Sequence, residues 1–220
     1  KHIFLPLGLR ACWSYPMVLR DGRVAGTFAF YFPECRPPSA WHLRLVEACL
    51  SLCVMAIERH EARTQIRRLA YYDALTGLPN RVLMRQRVEQ TLAGDPLRRK
   101  SLACLCLDLD RFKDINDAYG LPAGDMVLEA VSQRLLDRAS SSDMVARMSA
   151  DAFIILLDDC RAEGAAAAAQ DLLASLREPF EISGTTVSLS GSIGIALYPG
   201  DATDVETLVN NCETAMFGAK

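Results

Sequence analysis

The sequence predicts an α/β protein in two parts. A larger C-terminal part forms a mixed sheet flanked by helices, joined by a long helix to a smaller, partial α/β domain before it. Three observations carry this. Residues 101–109, SLACLCLDL, make a nearly continuous apolar run, as in a strand covered on both faces. Around that run, strand-like and helix-periodic segments alternate to the end of the chain. Ahead of it, a hairpin pattern meets a Pro-rich stop and then a long helical segment.

Taken in order, Cys12 to Leu19 reads as a strand. Arg20-Asp21-Gly22 supplies the turn, and GRVAGTFAFYF, Gly22 to Phe32, reads as the partner strand. Cys35-Arg36-Pro37-Pro38-Ser39 stops the sheet, and Ser39 is placed to cap a helix from Trp41. Its apolar seam is Leu45, Cys49, Leu52 and Ala56; Arg59 and Arg63 then occupy the same line, so the stretch to about Tyr72 reads as a solvated connecting helix. A generic α/β fragment fits this order as well.

Beyond Tyr72, a helix can begin at Pro79, and Val82 to Leu92 is amphipathic. Gly120 to Asp125, GLPAGD, opens a helix that continues from Ala123 to Arg138. Met144–Arg147 and Ala152–Leu157 read as a hairpin around Met148 to Asp151. Arg161 to Leu176 is an Ala-rich helix ended by Pro179. Thr185 to Leu197 is strand-like, and Thr203-Asp204-Val205-Glu206 has capping-box spacing before a last helix.

At 220 residues the chain holds one large domain, or one complete domain and part of another. A net charge of −3 and a pI near 5.7 exclude a basic nucleic-acid field. An acidic pocket still accepts an anionic nucleotide when a metal ion bridges the charge. The eight cysteines, scattered through apolar stretches, read as reduced core residues of a cytoplasmic protein. Cys49 and Cys53 have helical metal-ligand spacing, but no second pair completes a site. No apolar run reaches membrane-span length, no signal-peptide plan is evident, and the chain reads as a fragment of a longer protein.

The candidate chemistry is acidic. Asp108 closes the buried strand, and Asp110 is expected on the same face two residues later. A carboxylate there is costly unless paired or metal-bound. Asp125 can cap the helix after Gly120 or receive donors from a base, and Asp151 lies in the hairpin turn, with Lys113 and Arg147 between. Taken singly, each Asp is more often a cap or a turn residue than a ligand.

Asp73-Ala74-Leu75-Thr76-Gly77-Leu78-Pro79-Asn80-Arg81 resembles the entrance motif of GGDEF domains, the diguanylate cyclase family. Asp108 to Asp117, DLDRFKDIND, with Tyr119-Gly120 and Gly124-Asp125, resembles the family's nucleotide-site motif. Ser192-Ile193-Gly194-Ile195-Ala196 and Ala215-Met216-Phe217-Gly218-Ala219-Lys220 resemble its C-terminal signatures. The hairpin followed by a Pro-rich loop and a long helix resembles the end of a GAF sensor domain. The implied division is 1–58 as the C-terminal part of a GAF-like domain, 59–72 as a connecting signalling helix, and 73–220 as a degenerate GGDEF domain.

The resemblance implies binding of GTP with Mg2+ or Mn2+. Asp108 and Asp151 would be the metal carboxylates and, if the domain is active, its catalytic residues; Leu109 would add its carbonyl. Phe112 and Lys113 would lie by the triphosphate, Asn116 and Asp125 on the guanine edge, and Arg147 and Lys220 near the phosphates. It also implies a homodimer through the GAF part and connecting helix, and leaves room for a C-terminal EAL domain.

Departures from the pattern are specific. The signature turn reads Ser149-Ala150-Asp151-Ala152-Phe153 where the family has G-G-D/E-E-F. The glycines are expected to serve conformations and close approaches that a Cβ forbids. Ala152 removes an active-site carboxylate. The inhibitory RxxD has its Asp, Asp143, but Ser140 at the Arg position, so no ordinary product-feedback site is expected. Leu121 stands where the family has His. Three readings follow: a silent or weak domain that binds GTP and signals, an active cyclase, and a dimerisation module that binds no nucleotide.

Overall fold

The computed structural model describes residues 8–93, 101–182 and 184–220. The chain forms two compact units, one ending at Arg68 and the other starting at Leu69.

In the first unit, β1 (Ala11–Val18) and β2 (Val24–Phe32) form an antiparallel hairpin. Its turn is closed by Leu19 N–H on the Arg23 carbonyl (2.9 Å) and Gly22 N–H on that of Leu19 (3.0 Å). Register puts Trp13, Tyr15 and Met17 opposite Phe30, Phe28 and Gly26, so one face is almost wholly apolar. The long helix α1 (Ala40–Tyr71) follows Ser39, whose Oγ accepts from His42 N–H at 3.4 Å. The His42 ring lies edge-on to Trp13 and Phe32, and Arg20 and Arg23 pair with Glu58 and Glu61.

The inward side of α1 runs through Val46, Cys49, Leu50, Cys53, Val54 and Ile57. This corrects the expected seam: Cys49 lies on the half-buried side, whereas Leu45, Leu52 and Ala56 are exposed. The membrane expectation also changes. Among the described residues, α1 is long and apolar enough to cross a membrane by length and composition, with a mean hydropathy of 1.5 over 18 residues, 6% buried. Arg44 and Glu47 break the run by eye but leave the average high.

In the second unit, α2 (Arg81–Leu92) is capped by Asn80, whose Oδ1 accepts from the N–H groups of Val82 and Leu83. There follow β3 (Leu102–Leu109), α3 (Phe112–Tyr119), α4 (Leu121–Arg138), β4 (Met144–Arg147), β5 (Ala152–Asp158) and α5 (Ala162–Arg177). A small hairpin of β6 (Phe180–Ile182) and β7 (Thr185–Val187) precedes β8 (Gly191–Tyr198) and α6 (Val205–Ala219). The run Thr185–Leu197 is therefore two strands, broken at 188–190. Asp204, not Thr203, caps α6, accepting from Thr207 N–H at 2.9 Å.

The sheet order is β4-β5-β3-β8. The α/β class is as expected, but each of the three pairings is antiparallel. β5 and β8 run parallel to each other only across the intervening β3, so alternation of helix and strand produces no parallel neighbours.

Strand β3 is covered on both sides. Ala103, Leu105, Leu107 and Leu109 pack with α3, α4 and α5; Leu102, Cys104 and Cys106 pack with α2 and α6. Helix α6 lies against β8 because Gly194 has no Cβ: one placed there would overlap the Cys212 carbonyl and the Met216 N–H. Cys212 Sγ donates to the carbonyls of Cys104 (2.9 Å) and Gly194 (3.2 Å), fixing α6 on two strands. All eight cysteines are free, but only Cys104, Cys106 and Cys212 are fully buried. Cys12 and Cys35 are exposed, Cys12 because it alternates with the inward Trp13.

Candidate functional site

The antiparallel register brings the acidic residues to one end of β3. Asp108 is the last residue on the α2/α6 side of that strand and stands directly opposite Ala152 on β5 and Ser192 on β8. Opposed side chains in such pairs lie about 5 Å apart at Cβ, on the same face. Asp151 is one residue further into the turn, and its carbonyl accepts from Leu109 N–H at 3.2 Å. Burial, then the negative charge of Asp108, raises the Asp151 carboxyl above its ordinary value. Two carboxylates repelling each other mark a place that favours a cation.

Lys220, at the end of α6, places its Nζ 2.6 Å from Asp108 Oδ1. The pairing with Asp108 holds the Lys220 ammonium above its ordinary value. Among the described residues Lys220 is the one partner of that buried oxygen. Asp108, the second carboxylate of Asp151 and the Leu109 backbone form a donor set that suits a hard cation such as Mg2+, which takes one or two carboxylates and completes its shell with water and phosphate. No group of three or more His, Cys, Asp or Glu side chains clusters among the described residues.

Asp110 stays close to the Asp108 face, since one of its donors, Ser192, is the residue that stands opposite Asp108. It lies past the end of β3, where strand alternation no longer directs it, and its carboxylate accepts from the hydroxyls of Ser190 (2.7 Å) and Ser192 (2.8 Å).

Arg147 makes bonds within the chain as well. Its Nη1 donates to Asp73 Oδ1 (2.8 Å), its Nη2 to the Ala150 carbonyl (2.7 Å) and its Nε to that of Ser149 (3.2 Å). Asp73 also accepts from the N–H (2.9 Å) and hydroxyl (2.7 Å) of Thr76. Burial raises the Asp73 carboxyl, but the Thr76 donors and Arg147 more than offset it, and the net shift is downward. Each nitrogen of the Arg147 guanidinium has a protein acceptor, and the three bonds form a clamp that joins the entrance motif to the signature turn, while Nη1 and Nη2 each keep a second N–H for an anion. Sequence reading missed this clamp; the Asp that opens the entrance motif was its only signal.

The turn itself is ordinary. Met148 N–H donates to the Ala152 carbonyl at 2.8 Å, and none of Ser149, Ala150 and Asp151 has a positive φ. The expectation that these positions need glycine's backbone freedom is therefore corrected; what the side chains add is volume.

On the other side of β3, α4 crosses α3 at Gly124, where a Cβ would overlap Asn116 Oδ1 and come within 3.3 Å of the Phe112 ring. Asn116 thus sits half-buried in the crook of two helices, with Lys113 and Asp125 exposed beside it. None of these three side chains makes a hydrogen bond or ion pair among the described residues. Asp125 lies in the second turn and caps nothing; Gly120 is the N-cap of α4. Phe112 is a core residue at the start of α3, 5% exposed.

A family model described as "Diguanylate cyclase, GGDEF domain" matches residues 70–220. The chain belongs to the GGDEF family. It is 35% identical over 206 residues, 92% of its length, to the cyclic di-GMP phosphodiesterase NbdA of Pseudomonas aeruginosa, spanning 26% of that protein. It is 42% identical over 154 residues to the diguanylate cyclase TpbB of the same species, covering 69% of this chain and 35% of that one. Among solved structures, the GGDEF domain of TpbB superposes with a TM-score of 0.64 at 41% identity, covering 68% of this chain and 88% of that chain. A sensory box/GGDEF family protein from Caulobacter crescentus gives 0.63 at 33%, covering 68% and 97%. The chain thus spans about a quarter to a third of these curated relatives.

The residues compared with the family's inhibitory motif make bonds within the chain. Asp143 Oδ2 accepts from Ser140 N–H at 2.8 Å, and Arg138 pairs with Asp171 at 2.9 Å.

Proposed function

We propose that this chain is part of a cyclic-di-GMP signalling protein. In this reading its GGDEF domain keeps a Mg-GTP pocket, turns GTP over weakly or not at all, and regulates an attached output domain such as an EAL phosphodiesterase. The observation that carries the reading is the pairing of Asp108 with Ala152: a methyl group stands where the family signature places a carboxylate beside the metal site. Meanwhile Lys113, Asn116 and Asp125 are uncommitted. The names of NbdA and of MucR, a bifunctional cyclase/phosphodiesterase 38% identical over 167 residues, support an attached phosphodiesterase.

In this reading Asp108, Asp151 and the Leu109 carbonyl hold Mg2+ or Mn2+, which neutralises phosphate charge. Asn116 and Asp125 hydrogen-bond the guanine edge, Lys113 faces the triphosphate from α3, and Arg147 keeps the turn in place. Residues 1–58 are read as the end of a GAF-type sensor and 59–72 as the helix that carries its signal. A second reading, an active cyclase, is favoured by the likeness to TpbB and by a turn that tolerates Ser149 and Ala150 without strained backbone.

The test is calorimetric titration of GTP with Mg2+, with the same sample assayed for cyclic-di-GMP. Binding without product is expected. Binding with product means an active cyclase, and no binding leaves a dimerisation module.

The homodimer is proposed to form along α1. Leu45, Ala48, Leu52, Met55, Arg59, Ala62 and Ile66 follow one another at alternating three- and four-residue steps, and all are exposed. That is a coiled-coil seam with one polar position, which fixes register. The cytoplasmic location expected from the sequence is retained as part of the proposal. Leu52→Asp is expected to convert a dimer into a monomer in sedimentation experiments while leaving GTP binding unchanged. A dimer that survives the substitution means another interface.

A further inference from the structure

We infer that Lys220 is an internal cation for Asp108, which a divalent metal must displace, so that metal and nucleotide enter the cleft cooperatively. The inference rests on the metal site proposed above, and concerns what guards it.

The argument starts from how Lys220 is delivered. Gly194 lets the backbone of α6 touch β8, and Cys212 ties α6 to β3 and β8 through two carbonyls. Leu208, Val209 and Met216 are buried beneath the helix. The last described turn of α6 is therefore held at the end of β3. From there Nζ reaches Asp108 Oδ1 at 2.6 Å, on a side chain only 15% exposed. No other donor serves that oxygen among the described residues. A metal ion choosing Asp108 therefore meets an ammonium already against the same oxygen, and the two positive charges exclude each other.

Lys220 itself is 38% exposed on a flexible stem, free to swing toward an anion without moving α6. A triphosphate in the cleft offers that anion. Drawing Lys220 off Asp108 opens the oxygen to the metal, so nucleotide is expected to tighten metal binding, and metal to tighten nucleotide binding by the same factor.

The test needs no turnover. Mn2+ binding to the 220-residue chain is followed by electron paramagnetic resonance, without nucleotide, for the wild type, Lys220→Met, Asp108→Asn and the double variant. Lys220→Met is expected to bind Mn2+ about two- to fivefold more tightly, the range for losing a partly screened ion pair. In the Asp108→Asn background the same substitution is expected to change nothing. Unchanged or weaker Mn2+ binding by Lys220→Met overturns the inference, as does an equal gain in the Asp108→Asn background, which would reflect bulk charge alone. Failure of GTP to bind any variant counts instead against the nucleotide reading, and the Mn2+ comparison stands apart from it.

Discussion

Ala152→Glu, combined with Ala150→Gly, is expected to raise cyclic-di-GMP formation by about 10²- to 10³-fold, the usual worth of one preorganised electrostatic group. Position 152 opens β5 directly opposite Asp108, so a carboxylate there projects to the same face and completes a set with Asp108 and Asp151. The strand pairing that places it is already made, and no backbone change is needed to bring it in. Ala150→Gly serves another purpose. The turn has no positive φ, so the glycine removes a methyl group and adds no needed conformation. The single Ala152→Glu change should therefore account for most of the gain in activity and should also tighten Mn2+ binding in the absence of GTP. Tighter Mn2+ without more product would place the remaining defect in how two domains meet. No change in either would mean that residue 152 does not face the metal site.

Much of the fold was legible because its signals are local. The run 101–109 is apolar at every position but Asp108 and the terminal Ser101, since helices cover both faces of β3. The first hairpin was legible from Asp21-Gly22 between alternating strands. What escaped had short or mixed signals. Helix α3 buries only Phe112 and Ile115 and otherwise reads as a polar motif. β6 and β7 have three residues each, too few to show a period. On α1 two apolar stripes share one helix, and the inward one, through Cys49 and Cys53, mingled with the outward seam.

The site divides in the same way. Motif order identified Asp108, Asn116, Asp125, Asp151 and Lys220, and the fold gathers Asp108, Asp151 and Lys220 at the end of β3. What each side chain bonds to was not legible. Arg147 reaches Asp73 across 74 positions of sequence, and Asp110 reaches Ser192 across 82. Such pairings are set by topology, so composition and spacing carry no trace of them.

Asp125→Ala is expected to weaken GTP binding by about ten- to a hundredfold, the range for losing a hydrogen-bonded charge, and Asn116→Ala by about tenfold. The two positions test different things. Asp125 is exposed and unpartnered among the described residues, so its removal leaves stability within about 0.5 kcal/mol, and any loss of affinity belongs to the ligand. An acceptor-only carboxylate reads donors on a guanine edge, so Asp125→Ala should also erase preference for GTP over ATP. Asn116 fills the crook made possible by Gly124, so its removal costs some packing as well, and thermal unfolding must be measured beside the titration. Unchanged GTP affinity in both variants would place the nucleotide away from α3 and α4. Loss of GTP binding in both, alongside a response of nucleotide-free Mn2+ binding to Ala152→Glu, would assign the loss to base recognition and leave the metal site itself intact.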